Sequence, residues 1–337
     1  MKRVITVYNT IYSAVYKFIR KYPVLFCAAL AAVLIAYPFL LPDDFLRGMS
    51  TKILLYIVIV SSMNVVNGYS GQFTMGHAGF LAAGAYTAAI LMTRCGFSFW
   101  LALPLAGFAA ALCAAAAGFL GSILSGLYLA MVTLGFSEIL RIIALNWISL
   151  TGGPLGIKGI PPPKIAGWTL RGSYPMYFLM LALAALMLFF TWRVINSKYG
   201  KAWISIRENE AAAASLGINI RKYKIMNMAY AGFWAGIAGA FIAVYYRYID
   251  STMFGIDENC NILAMTIVGG MGTFAGPFAG VIAVNVISEV FRFASEYRLV
   301  IYAVLIILMM HIRPQGLAGI SENANRLKNT MFLGDGI

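Results

Sequence analysis

The sequence predicts an all-α, polytopic membrane protein with about ten membrane segments. Three observations carry that expectation. Of 337 residues, 61% are hydrophobic and only 11% are charged, against about 25% charged in an ordinary soluble domain. The apolar residues fall in long uncharged runs, and no polar stretch between them exceeds roughly 35 residues, too few to fold alone. The basic residues gather between the runs, where they act as orientation signals. This composition excludes a soluble globular enzyme, a disordered chain and a fibrous repeat. The net charge of +13 would point to nucleic acid in a soluble protein. Here it marks the membrane faces, and no nucleic-acid partner is expected.

Residues 1–22 form an amphipathic N-terminal segment carrying Lys2, Arg3, Lys17, Arg20 and Lys21. The apolar run from Pro23 to Leu41 reads as a retained first span, because no small-residue cleavage site precedes Pro42-Asp43-Asp44. Uncharged runs follow at 53–69, 76–93, 99–124, 127–137, 176–192, 225–246, 259–288 and 299–312. The run at 127 continues to Trp147 and carries Glu138 and Arg141 into the membrane. The run 259–288 is too long for one span and is interrupted by Gly269, Gly270, Gly272, Gly276 and Pro277. It therefore divides into a short helix and a fuller one.

Lysine and arginine set the orientation. The N-terminal segment, the stretch 193–224 (Arg193, Lys198, Lys201, Arg207, Arg221, Lys222, Lys224) and the tail 314–337 following Arg313 are the basic stretches. All three are expected on the cytoplasmic side, which puts both termini inside. The loop 149–175 is sparser in basic residues and reads as external. Its Gly152-Gly153-Pro154 and Pro161-Pro162-Pro163 break regular helix. It serves either as a docking surface or as a connector.

No Gly-x-x-x-x-Gly-Lys-Ser/Thr loop cradles ATP phosphates. The two histidines, His77 and His311, are far apart, and no carboxylate–imidazole cluster suggests a metal or hydrolytic centre. The cysteines Cys27, Cys95, Cys113 and Cys260 lie in or beside apolar runs without metal or redox spacing, and read as small packing residues. Neither a bound cofactor, a metal nor a catalytic residue is expected in this chain, so any energy source belongs to another one.

Two glycine-rich stretches stand out. Residues 67–86 read NGYSGQFTMGHAGFLAAGAY and residues 268–284 read VGGMGTFAGPFAGVIAV. Both show Gly-x-x-Gly-x-Phe, matching Gly68, Gly71 and Phe73 with Gly269, Gly272 and Phe274, as a parallel internal repeat would. Helix breaks survive in a membrane only where protein or a wet cavity satisfies the backbone. Gly71, Gln72, Gly76, His77, Gly269, Gly272 and Gly276 are thus candidates for a translocation path, or else mark tight helix crossings. Glu138 and Arg141, three residues apart on one helix, form a self-neutralising pair or touch a solute. Glu289 and Arg292 repeat that spacing.

Residues 201–224 read KAWISIRENEAAAASLGINIRKYK. Ala202 to Leu216 is rich in helix formers and Gly217 suits a helix C-terminus. The segment is too charged to span, so a short helix at the cytoplasmic surface is expected, held either by lipid headgroups or by a partner.

Here a resemblance becomes specific. Glu210-Ala211-Ala212-Ala213 followed by Gly217 resembles the Glu-Ala-Ala…Gly loop of ABC importer permeases, with one extra residue in the spacing. It is most similar to the branched-chain amino-acid subfamily, the LivM type. Other blocks resemble the same subfamily in order: NGYSGQFTMGHAGF, VTLGFSEILR, SLTGGPLGI, VGGMGTFAGPFAG and RPQGLAG. The long amphipathic start before Pro23 departs from it. The resemblance implies an ABC importer permease fold, with a transmembrane permease domain over 23–313. It implies ATPase coupling through Arg207, Glu208, Glu210, Ala211, Ala212, Ala213 and Gly217. It also implies partners: a LivH-type second permease, two cytoplasmic ABC ATPase subunits that bind ATP and Mg, and an extracytoplasmic solute-binding protein. The implied cargo is leucine, isoleucine or valine, with urea or short amides as the alternative. A lipid-modifying membrane enzyme and a secondary transporter using Glu138 are rival classes. The first lacks a convergent set of acid, base or metal groups.

Overall fold

The computed structural model describes residues 33–39, 43–124, 126–165 and 168–290, with isolated positions from 300 to 318. The expected segment 1–22, most of the run 23–41, the run 299–312 and the tail beyond residue 318 lie outside the described residues or are only sparsely described, as does the side-chain pair Glu289–Arg292.

Helix α1 spans Asp44–Asn64 and ends in a π-helical turn, Val65–Tyr69. After the irregular segment 70–76 come α2 (His77–Thr93), α3 (Phe99–Gly121), α4 (Leu127–Asn146) and α5 (Ser173–Ile195). Two short helices follow, α6 (Lys198–Glu208) and α7 (Glu210–Ser215), then α8 (Ile220–Tyr246). The second break separates α9 (Ile256–Gly269) from α10 (Gly276–Val290). Among the described residues, five helical stretches are long and apolar enough to cross a membrane: Asp44–Tyr69, Phe99–Gly121, Leu127–Asn146, Ser173–Ile195 and Ile220–Tyr246. His77–Thr93 and Gly276–Ser288 are shorter apolar helices.

Several expectations change. The second span begins at Asp44 rather than residue 53. Its charged first turn is accommodated at the bundle end, where Arg47 pairs with Asp44 at 2.8 Å and lies over the Tyr174 ring. The run 259–288 splits at its glycines into two helices as expected, the first of 14 residues and the second covering Gly276–Val290 among the described residues. Left-handed Gly270 and Gly272 end the first of them early. The segment expected as one helix from Ala202 to Leu216 is two helices. Asn209 takes an extended backbone and its side chain accepts from the Ala212 N–H at 3.0 Å, restarting the helix as an N-cap. The loop 149–175 holds short strands in an otherwise helical fold. β1 (Ile157–Lys158) pairs antiparallel with β4 (Tyr248–Ile249), and β2 (Lys164–Ile165) with β3 (Trp168–Thr169). Among the cysteines, Cys95 is exposed while Cys113 and Cys260 are half-buried.

The core forms on α8, whose sequence AGFWAGIAGAFIA puts small residues on more than one face. Gly236 shows why. A Cβ there would meet the Ala110 Cβ at 2.5 Å and the Ala106 carbonyl at 2.6 Å on α3, and Gly84 of α2 sits against its backbone. Small residues let three backbones meet this closely. Helices α1 and α8 are largely buried. By contrast, α3, α4 and α5 turn apolar side chains such as Phe108, Leu112, Met131 and Phe189 outward. That is the surface of a protein solvated by lipid or by partner helices rather than by water.

The 27-residue α8 separates the two ends of the bundle by about 40 Å. The loop 149–175 lies at the end where α8 finishes, since the Gly159 N–H donates to the Arg247 carbonyl and Trp100 Nε1 to the Lys164 carbonyl. The glycine breaks, α6, α7 and residues 316–318 lie at the end where α8 starts.

Candidate functional site

The first break turns back into the bundle. Helix α1 ends its π-turn at Tyr69, yet α2 begins at His77 beside Ser62, seven residues earlier on α1. At 1.5 Å per residue, α2 therefore starts about 10 Å inside the bundle. Buried side chains satisfy the irregular backbone between them. Thr74 N–H donates to Asn67 Oδ1 (3.2 Å), Met75 N–H to Thr133 Oγ1 (3.1 Å) and Ala78 N–H to Asn259 Oδ1 (2.9 Å). Asn259 also donates to Ser137 Oγ at 3.1 Å, so it ties α2, α4 and α9 together. Ser70 donates to Asn227 of α8.

Four of the predicted path residues belong to this break; Gln72, Gly76 and His77 are buried and Gly71 is exposed. Gln72 is buried and donates to Ser70 Oγ at 2.8 Å. Gly76 lies against α4, where a Cβ would meet the Thr133 carbonyl at 2.6 Å. His77 is 1% exposed and shares a 3.0 Å hydrogen bond with Ser62 Oγ. The Ser62 hydroxyl donates to the Ile59 carbonyl, which leaves His77 Nε2 as donor and Nδ1 buried without a partner. Gly71 is left-handed and faces Arg207.

The second break packs against the first. Gly68 touches the backbone of Gly272, and Asn64 clamps the pair: its Oδ1 accepts from the Gly272 N–H at 2.8 Å and its Nδ2 donates to the Thr273 carbonyl at 2.9 Å. Gly269 and Gly276 close the α9–α10 turn backbone to backbone. Residues 316–318 return here, with the Leu317 N–H donating to the Val268 carbonyl and the Ala318 N–H to the Gly269 carbonyl. Between this break, α1 and α5 lies a crevice of about 10 Å³, room for about one water, lined by Ser61, Asn64, Tyr69, Leu188, Thr191, Phe274 and Pro277. Ser61 Oγ is buried there with no partner. Tyr69 of the first stretch and Phe274 and Pro277 of the second line the crevice together.

The segment between α5 and α8 docks on this same end through one face. Ala202, Trp203, Ile206 and Ala213 are buried, and Trp203 Nε1 donates to the Tyr223 carbonyl at 3.1 Å. Glu208, Ala211, Ala212 and Leu216 face outward. Gly217 takes the left-handed conformation expected of it, ending α7 with its N–H on the Ala214 carbonyl. Two predicted coupling residues, themselves exposed, also make contacts to the bundle. Glu210 pairs with Lys224 of α8 at 2.6 Å, and Lys224 is itself buried. Arg207 reaches both breaks, donating from Nη1 to the Gly68 carbonyl at 2.9 Å.

Glu138 and Arg141 form the expected pair at 2.7 Å, partly exposed on α4. Glu138 Oε1 is buried without a partner. Among the described residues, no group of three or more His, Cys, Asp or Glu side chains could hold a metal. The residues the sequence reading passed over are Asn64, Asn67, Asn227, Asn259, Thr133, Ser137 and Lys224. The signal for the asparagines was present, as polar amides inside uncharged runs.

Comparison with known proteins matches residues 45–310 to the family described as branched-chain amino acid transport system / permease component. The high-affinity branched-chain amino acid transport system permease protein LivM of Escherichia coli K12 is 36% identical over 341 residues, covering 92% of this chain and 78% of that protein. LivM of Salmonella typhimurium LT2 is 36% identical over the same shares. The high-affinity branched-chain amino acid transport system permease protein LivH of Salmonella typhimurium is 23% identical over 79% of this chain and 92% of its own length. No solved structure matches the chain. A family match over most of the chain, joined to the LivM likeness from end to end of the described bundle, shows that the chain belongs to the branched-chain amino-acid transport permeases.

Proposed function

We propose that this chain is the LivM-type membrane subunit of an ABC importer that takes up leucine, isoleucine and valine. It sits in a bacterial plasma membrane with about ten segments, both termini and the 193–224 segment on the cytoplasmic side and the 149–175 loop outside. A LivH-type permease completes the path. Two ATPase subunits carry ATP and Mg, and an extracytoplasmic binding protein delivers the solute. The chain itself makes and breaks no covalent bond.

The observation that carries this reading is the two-faced segment α6–α7. One face is anchored on the bundle by Trp203 and Ala213, and the other offers Glu208, Ala211, Ala212 and Leu216, with Leu216 81% exposed. An exposed leucine beside small residues is a surface shaped for close approach by a partner.

The test is reconstitution. The chain, co-expressed with the second permease and ATPase subunits, is expected to retain the ATPase through affinity purification. In proteoliposomes given ATP and the binding protein, it is expected to accumulate labelled leucine. Excess isoleucine or valine should compete and urea or acetamide should not. Competition by the short amides alone would assign the other substrate class, and uptake without any ATPase would overturn the importer reading.

A further inference from the structure

We propose that Arg207 is a positioning residue for transport: it ties the cytoplasmic segment to both glycine breaks at once, so that a displacement of α6–α7 reaches the two breaks together. The proposal rests on the reading that α6–α7 docks on the ATPase, and gives that docking a route into the membrane.

Four contacts meet at this side chain. Arg207 Nη1 donates to the Gly68 carbonyl at 2.9 Å. A Cβ on Gly71 would lie 2.8 Å from Arg207 Cγ, so the arginine stem lies directly on the first break. A Cβ on Gly272 would lie 2.8 Å from Nη1, so the guanidinium lies on the second. Glu208 Oε1 accepts from Nε at 3.1 Å and Nη2 at 2.6 Å, which fixes the plane of the guanidinium and aims Nη1 inward. Both glycines that receive it are left-handed, at φ 70° and 76°. There a side chain would be strained as well as obstructed.

The remaining links of the segment go elsewhere. Trp203 reaches the Tyr223 carbonyl and Glu210 reaches Lys224, and both of these partners belong to α8. Lys224 in turn offers its carbonyl to Gln72 of the first break at 3.4 Å, a long contact to one break only. Direct contact with both breaks is made by Arg207. The breaks are themselves joined through Gly68, Gly272 and the Asn64 clamp, so one guanidinium holds a unit rather than two loose turns. A lysine could not reproduce this. Its point charge can reach a carbonyl or a carboxylate, whereas the planar fork serves both in a fixed direction.

The test uses the whole importer in proteoliposomes with its ATPase, second permease and binding protein. Three quantities are read for wild type, Arg207→Gln and Arg207→Lys: retained ATPase, ATP hydrolysed and leucine taken up. Arg207→Gln is expected to retain the ATPase and hydrolyse ATP, with leucine moved per ATP falling about tenfold, as loss of a charge-assisted contact gives. Arg207→Lys is expected to recover part of that ratio, within about threefold of wild type. A wild-type ratio in Arg207→Gln overturns the proposal, as does equal loss of ATPase retention and uptake, which would make Arg207 part of the ATPase dock. If Arg207→Gln does not assemble, Arg207→Lys decides: a wild-type ratio there overturns the proposal, and a reduced ratio with normal ATPase retention supports it. Failure of wild type to hold any ATPase would instead refute the importer reading itself.

Discussion

Replacing Asn259 by leucine keeps the volume of a side chain that is 1% exposed while removing both of its hydrogen bonds. The Ala78 N–H loses its acceptor at 2.9 Å and Ser137 Oγ loses a donor at 3.1 Å. Interhelical hydrogen bonds inside membranes are worth about 0.6 kcal/mol on average and up to about 1.7. Two of them give about 1–3 kcal/mol, and the upper part of that range applies because Ala78 N–H is a first-turn donor left with no side-chain acceptor. Ser137→Ala removes one of the two bonds and is expected to cost about 0.5–1.5 kcal/mol. The assay is unfolding in mixed micelles titrated with SDS, for wild type, both single variants and the double variant. Since the singles share one bond, the double variant should be less destabilised than their sum by about 0.5–1.5 kcal/mol. Additivity within about 0.3 kcal/mol would refute the reasoning, because it would mean that Asn259 and Ser137 do not meet in the folded protein.

Two further outcomes are expected. In a cysteine-free background, a cysteine replacing exposed Lys201 should react with an impermeant thiol reagent from the cytoplasmic side, and one replacing Leu155 from the outside. Labelling of both from the same side would contradict the placement of the two loops at opposite ends of α8. Gly217→Val should cost α7 about 1–2 kcal/mol, since φ is 82° and no atom lies within 4 Å of the added Cβ, so the cost is conformational alone. Gly217→Asn should recover most of the ATPase retention that the valine loses in pull-down, because asparagine tolerates the left-handed region, and equal loss in both would point to a contact with the glycine itself.

The spans were legible because hydrophobic runs report burial in an apolar medium whatever their neighbours are. That reasoning located α3, α4, α5 and α8 to within a few residues, and divided 259–288 at its glycines. It misplaced the start of α1 because Arg47 and Lys52 interrupt the run, although an arginine held by Asp44 and a tyrosine ring can end a span. The break between α6 and α7 had a local signal that was passed over. Asn209 stands three residues before Ala212, the N-cap spacing, at the head of an alanine-rich stretch. The site itself was half legible. Glycine patterns identified both breaks, but nothing local says that Gly68 meets Gly272 across two hundred residues of chain. Nor does local sequence separate an arginine that faces a partner from one that faces the breaks. Arg207 and Glu208 are both charged, exposed residues on a short amphipathic helix, and their roles part only when the fold sets the first against Gly68 and Gly71.

Small residues in this chain perform two different tasks, and the difference bears on which parts can move. On α8, Gly232 and Gly236 meet the backbone or Cβ atoms of Ala106, Ala110 and Ala114 on α3, while Gly239 meets Leu81 and Ala85 of α2. Those contacts are between helix backbones, so sliding α2, α3 and α8 apart would open voids along their whole crossing. At the breaks, Gly71, Gly270 and Gly272 are left-handed. Side chains hold the first break, Asn67 and Arg207 among them, whereas the second is closed by backbone contacts as well, Gly269 on Gly276 and Gly272 on Gly68. A side-chain hydrogen bond can be exchanged for another or for water without parting two helices, and such regions open at lower free energy than a packed core. The side-chain-held first break, where Arg207 lies on Gly71, is therefore the more compliant of the two turns, and the three-helix block supplies the fixed frame.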